Sequence, residues 1–122
     1  MSLSVSIVVS DPESPQSVAI VVNQGQSETS IYVELPKSKL PTVREFVREA
    51  RENKNYRGGV TFYQPSNGIV ALTRNDDGIL LESVRYGDGE VGGIIKIFNE
   101  SLWLELLGVL LNYYESYQEV EN

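Results

Sequence analysis

The fold is decided by residues 60–98, which read VTFYQPSNGIVALTRNDDGILLESVRYGDGEVGGIIKIF. Runs of β-branched and other apolar residues alternate here with short turns of glycine, asparagine and aspartate. Asn-Gly and Asp-Gly favour tight hairpins because these residues tolerate positive φ. The stretch therefore predicts four antiparallel strands in a meander, over residues 60–65, 68–74, 79–86 and 92–98.

Three more strands and one helix are predicted before this meander. The strands cover residues 3–10, 17–24 and 28–35, and in the third one Ile31, Val33 and Leu35 fall on one face. The first helix is predicted over residues 41–54, because its apolar residues recur at i, i+3, i+4 and i+7. A proline at residue 41 suits a first helical turn, where its missing N–H has no helical partner to lose.

The second predicted helix covers residues 100–118, with Asn99 as its N-cap, and is apolar around most of its circumference. One apolar stripe can cover the sheet, and a second needs another partner. We predict a homodimer through this second stripe, since twofold dimers are the commonest assembly. The predicted interface residues are Leu104, Leu107, Gly108, Leu111 and Tyr114. The alternative is a central helix that is fully buried within the chain.

Length and composition indicate one ordered domain, residues 1–122, with few familiar catalytic groups. The chain has 122 residues, 41% of them hydrophobic, and a formal net charge of −7. It contains no cysteine and no histidine, which excludes disulfides, thiolate catalysis, Cys-based zinc sites and the commonest general base. We expect no catalytic residue, no cofactor and no metal site, so not an enzyme. An enzyme that uses carboxylates alone is a less favoured alternative.

The sequence shows no targeting or membrane segment. Its N-terminus has no basic region followed by a cleavage site, and its longest apolar run, residues 102–111, is too short to span a bilayer. We therefore expect a cytoplasmic protein without a membrane partner.

The two halves, residues 1–57 and 58–122, each consist of strands followed by a helix. An ungapped alignment of Leu35 with Phe98 brings the apolar stripes of both helices into the same register. This pattern fits a duplicated unit, or else two amphipathic patterns that arose independently. One shared sheet and two opposed sheets both satisfy it.

The second half resembles the single-stranded-DNA-binding domain of the positive cofactor 4 coactivators. Both have four antiparallel strands followed by one helix, and the closest local match is residues 97–106, IFNESLWLEL. Two such units in one chain look like the Whirly and Pur-alpha arrangement. The resemblance implies an α+β fold, a Whirly-like pseudo-repeat of antiparallel strand-rich units each closed by a helix, and binding of single-stranded nucleic acid, DNA ahead of RNA.

The resemblance also implies where the nucleic acid binds. That family uses basic and aromatic residues on the turn after its second strand and along its third strand. Arg74, Arg85 and Tyr86 can be carried over, but the turn itself, residues 75–78, is acidic here.

The charge pattern adds further candidates. Residues 37–57 hold seven basic and three acidic residues, next to aromatic ones, as phosphate contact and base stacking require. The predicted nucleic-acid-binding set is Arg57, Phe62, Tyr63, Arg74, Arg85, Tyr86 and Lys96. Two alternatives stay open: the helix arginines pair with neighbouring glutamates, and Tyr63 is a half-buried sheet residue. The rival function is an acidic protein-interaction or scaffold dimer that binds no nucleic acid.

Overall fold

Strands and helices occur where the sequence periodicity predicts them. The computed structural model describes residues 3–64, 68–85 and 91–117, and it is an α+β structure. Its strands are β1 (Leu3–Val9), β2 (Ser17–Gln24), β3 (Glu28–Glu34), β4 (Gly59–Gln64), β5 (Gly68–Arg74), β6 (Ile79–Arg85) and β7 (Val91–Ile97). Its helices are α1 (Leu40–Glu52), which follows a 3-10 turn at Lys37–Lys39, and α2 (Glu100–Ser116). The candidate Tyr86 lies outside the described residues.

All seven strands belong to one sheet in the order of the chain. Each strand pairs antiparallel with the next, and α1 forms the crossover from β3 to β4. The strand pairing between the two halves of the chain is narrow, with the single residue pair Glu34 and Tyr63. Of the two arrangements left open by the sequence, the shared sheet is therefore confirmed, while the pseudo-repeat stays a prediction.

Both helices pack on one side of the sheet, which we call the inner face. Alternate residues of each strand point there, including the predicted set Ile31, Val33 and Leu35, each 5% exposed or less. They join the apolar stripe of α1 and most of α2 in one hydrophobic cluster. The sheet also curves, as the 3.0 Å hydrogen bond from the Gln24 side chain on β2 to the Lys96 carbonyl on β7 shows.

The predicted dimer interface on α2 is wrong for two of its five residues. Leu107 and Tyr114 are 0% exposed and belong to the core of the chain. Leu104, Gly108 and Leu111 are half-buried. The physical reason is that α2 packs against both the sheet and α1, so its second apolar side meets α1 instead of another protomer. The alternative, a central helix buried within the chain, describes α2 better, and the argument for a homodimer through α2 loses its basis.

Three tyrosines fasten the end of α2 to the neighbouring connections. Their hydroxyls donate to backbone carbonyls of the β1–β2 loop and of the segment between β3 and α1: Tyr113 to Pro15 at 2.5 Å, Tyr114 to Pro36 at 2.9 Å, and Tyr117 to Leu35. Buried carbonyls need such partners, because an unpaired buried polar group costs about 1–3 kcal/mol. Within the described ranges, neither helix is long and apolar enough to cross a membrane.

Candidate functional site

The predicted nucleic-acid-binding residues do not converge on one surface. Arg74 and Arg85 are at opposite ends of the β5–β6 hairpin, since Arg74 pairs with Ile79 and Arg85 pairs with Gly68. Lys96 lies on β7, on the side of the sheet away from the helices. A strand of six to seven residues is about 20 Å long, so no single nucleotide touches both arginines.

Phe62 cannot serve as a stacking platform. Its side chain is 1% exposed, on the inner face, with its ring centroid 6.4 Å from that of Tyr114. The strand alternation explains this, because Phe62 and Tyr63 are consecutive and must point to opposite sides of the sheet. Tyr63 accordingly points to the other side and is 54% exposed, so the alternative of a half-buried sheet residue stays open.

The side of the sheet opposite the helices, which we call the outer face, carries a set of exposed apolar side chains. They are Val8, Tyr32, Tyr63, Ile94 and Phe98, between 46% and 56% exposed. None of the described helices covers this face, since both lie on the other side. Exposed apolar side chains on an uncovered sheet face are typical of interaction sites.

The charged residues around these rings are mostly acidic. Glu34 is two residues from Tyr32 on the same face of β3, and it is the cross-strand partner of Tyr63. Glu28 is at the other end of β3, and Glu82 is on β6. Lys96 is the one cation among the described strand residues of this face. Residues 3–36 contain four carboxylates, two of them on β3, and no lysine or arginine.

A second lysine, Lys39, borders the outer face at Tyr63. Its ammonium donates to the Thr61 carbonyl and lies 5.6 Å from the centroid of the Tyr63 ring. Partial burial lowers the pKa of Lys39. Because its hydrogen bond replaces a strand partner for β4 where β3 has diverged, this lysine closes a gap in the sheet. Lys39 was not among the predicted site residues, since it precedes a helix and lies far from Tyr63 along the chain.

A pocket of about 330 Å³ lies between the end of α1, the β5–β6 turn and the start of α2. It is lined by Ala50, Arg51, Lys54, Arg74, Asp76, Glu100, Trp103 and Leu104. Three cations thus meet in one place within a chain of net charge −7. Of the two carboxylates, that of Asp76 is already paired with the Arg57 guanidinium.

Arg74 is the buried member of this pocket. It is 9% exposed, and its Nη1 donates to the Asn75 carbonyl and, at 3.1 Å, to the Gly78 carbonyl. Its guanidinium carbon lies 4.4 Å from the centroid of the Trp103 ring. Its Nε is buried without a hydrogen-bond partner. Arg74 therefore holds the β5–β6 turn through one nitrogen and leaves a second donor unused.

The helix arginines mainly pair with glutamates, as the alternative to nucleic-acid binding predicted. Arg48 pairs with Glu45 at 2.5 Å, Glu49 at 3.1 Å and Glu52 at 3.8 Å. These carboxylates raise the pKa of Arg48, first through the Glu45 hydrogen bond. Arg44 pairs with Glu115 of α2 at 3.4 Å. Arg51 differs, because its guanidinium extends toward Gly108 of α2 and lines the pocket.

Metal chemistry has no candidate centre in the part of the chain that is described, where no three Asp or Glu side chains gather as ligands. Comparisons with protein-family models, curated proteins and solved structures give no match to this chain. The site must accordingly be interpreted from its own geometry.

Proposed function

We propose that this protein is a non-catalytic interaction module that binds a basic protein surface on the outer face of its sheet. A single observation carries the proposal: the exposed rings of that face stand among carboxylates. On β3, Glu34 is two residues from Tyr32 and on the same face. Glu34 is also directly opposite Tyr63 of β4. Tyrosines are enriched at protein interfaces because they combine a large apolar area with a polar tip.

Charge complementarity selects the chemistry of the partner. A phosphate backbone would meet Glu28, Glu34 and Glu82, and like charges next to each other oppose association. A second copy of the same face would bring the same carboxylates together. A protein surface that presents lysine or arginine around apolar residues satisfies both the charges and the rings. In this proposal, likeness to the positive cofactor 4 and Whirly proteins concerns strand and helix order alone, and single-stranded nucleic acid is the competing ligand.

The test compares the wild-type chain with the double variant Tyr32→Ser/Tyr63→Ser. Both side chains are more than half exposed, so this variant keeps the core intact. Asn112→Ser on the exposed side of α2 is the matched control. In affinity purification from the source cells, we expect a basic protein that is retained by the wild type and the control and lost with the double variant.

A parallel titration with a labelled single-stranded oligonucleotide tests whether the protein binds nucleic acid, the competing ligand. We expect no change in fluorescence anisotropy at low salt. Salt-sensitive oligonucleotide binding that the double variant loses would overturn the proposal in favour of nucleic acid. Retention of the same proteins by all three chains would show that the outer face is not the interface.

A further inference from the structure

We infer that the pocket between α1, α2 and the β5–β6 turn is a binding site for a small oxyanion. This site is on the helical side of the sheet, and it is independent of the outer face and of the partner proposed there. The inference rests on the arrangement of Arg51, Lys54 and Arg74 around a cavity of about 330 Å³, together with the unused donor of Arg74.

The buried donor is the main argument for a ligand. Arg74 is nine-tenths buried, and its Nε has no partner among the described residues. Buried polar groups are nearly always hydrogen-bonded, so this exception in a residue that lines the cavity calls for an acceptor, and the guanidinium must turn toward the cavity to reach one. An anionic oxygen is the acceptor that suits a guanidinium best, because charge-assisted hydrogen bonds are about twice as strong as neutral ones.

The rest of the lining suits an anion as well. Arg51 and Lys54 are exposed at the last turn of α1 and just beyond it, so they can move onto a ligand from outside. Trp103 forms an apolar wall and holds the Arg74 guanidinium against its ring. Glu100 opposes an anion, whereas the charge of Asp76 is offset by Arg57. The cations therefore outnumber the uncompensated carboxylates.

The size of the cavity indicates the class of ligand. A cavity of about 330 Å³ is at the lower end of the range for small-molecule sites, about 300–1,000 Å³. Phosphate, pyrophosphate and small polycarboxylates share the required chemistry, namely several oxygens that accept from guanidinium and ammonium groups. The tetrahedral and the planar oxyanions are distinguished by the titration below.

The chain contains one tryptophan, and it lines the pocket, so its fluorescence reports on the site directly. We would titrate the protein with phosphate, pyrophosphate and citrate at constant ionic strength, with chloride as the reference. We expect a saturable change in Trp103 emission for at least one oxyanion, with a Kd of about 1 mM or tighter.

The matched variants locate the effect. Arg51→Gln/Lys54→Gln removes two exposed cations, and we expect it to weaken the anion about tenfold or more. Lys96→Gln, which removes a cation on the outer face, should leave the affinity unchanged, and Arg74→Lys, which removes Nε as a donor, should weaken it. Absence of saturable binding for all three anions, or equal weakening by Lys96→Gln, would overturn the inference. Since the outer-face variants Tyr32→Ser/Tyr63→Ser should bind the anion normally, the two proposals can fail separately.

Discussion

Truncation of Leu107 to alanine decides whether α2 is a core helix or an interface helix. Leu107 is 0% exposed and belongs to the hydrophobic cluster that includes both helices and the inner face of the sheet. A leucine-to-alanine change at such a site costs about 2–5 kcal/mol, because transfer free energy is lost and a cavity remains. We expect about 3 kcal/mol here, since helices on one side and strands on the other restrict collapse of the cavity.

The matched variant is Leu111→Ala on the same helix. Leu111 is only half-buried, so we expect a loss of about 1 kcal/mol, near the centre of the distribution for point mutations.

The assay is urea denaturation at two protein concentrations that differ about tenfold. A core residue lowers the midpoint equally at both concentrations, whereas a dimer interface makes the midpoint depend on concentration. A loss below about 1 kcal/mol for Leu107→Ala, combined with a concentration-dependent midpoint for the wild type, would refute the placement of α2.

Three further changes test individual contacts. Gly78→Ala should lower the free energy of unfolding by about 2 kcal/mol or more, because a Cβ there would come within 2.0 Å of the Ile97 carbonyl oxygen; a neutral result in urea denaturation would contradict this close approach. Gly108→Ala should instead stabilise α2 by up to about 1 kcal/mol, since the added Cβ meets only the end of a flexible side chain at 3.1 Å; a clear loss of stability would show tighter helix packing. Burial raises the pKa of Tyr113, and it is the first of several causes that raise the pKa of Tyr56. As the pH rises, these hydroxyls therefore lose their protons in the unfolded chain before they do so in the folded one. The free energy of unfolding should accordingly fall as the pH rises above about 10. A urea midpoint that is equal at pH values of about 9 and 11 would argue against this.

Local patterns predicted the elements well because each element carries its own signal. The turn residues between β4 and β7 and the alternation in β3 are signals between neighbours in the chain. The observed bounds of the strands and helices differ from the predicted ones by at most two residues. Asn99 caps α2 as expected, since its side chain accepts from the Leu102 N–H at 3.0 Å.

Most of the wrong predictions concern contacts between residues that are far apart in the sequence. Both apolar stripes of α2 were recognised, but periodicity does not tell which neighbour covers a stripe, and α1 covers the second one. Arg74 was selected as a surface phosphate contact, although it is a buried guanidinium that holds a turn and stacks on Trp103. Strand alternation alone places Phe62 and Tyr63 on opposite faces of the sheet. The prediction that both stack on bases was inconsistent with this alternation.

The basic pocket had a partial signal in the sequence. The excess of cations in residues 37–57 was noted, and Arg51, Lys54 and Arg57 all come from that segment. What the sequence could not provide is that the crossover helix brings this segment next to the β5–β6 turn and the start of α2, where Arg74 and Trp103 complete the lining.

A photo-crosslinking amino acid placed at position 32 tests the proposed outer-face interface most directly, with position 112 on α2 as the control site. Irradiation in the source cells should give a crosslinked product at position 32 that contains a basic protein, and no such product at position 112. A product with nucleic acid at position 32, or the same protein products at both positions, would contradict the proposal.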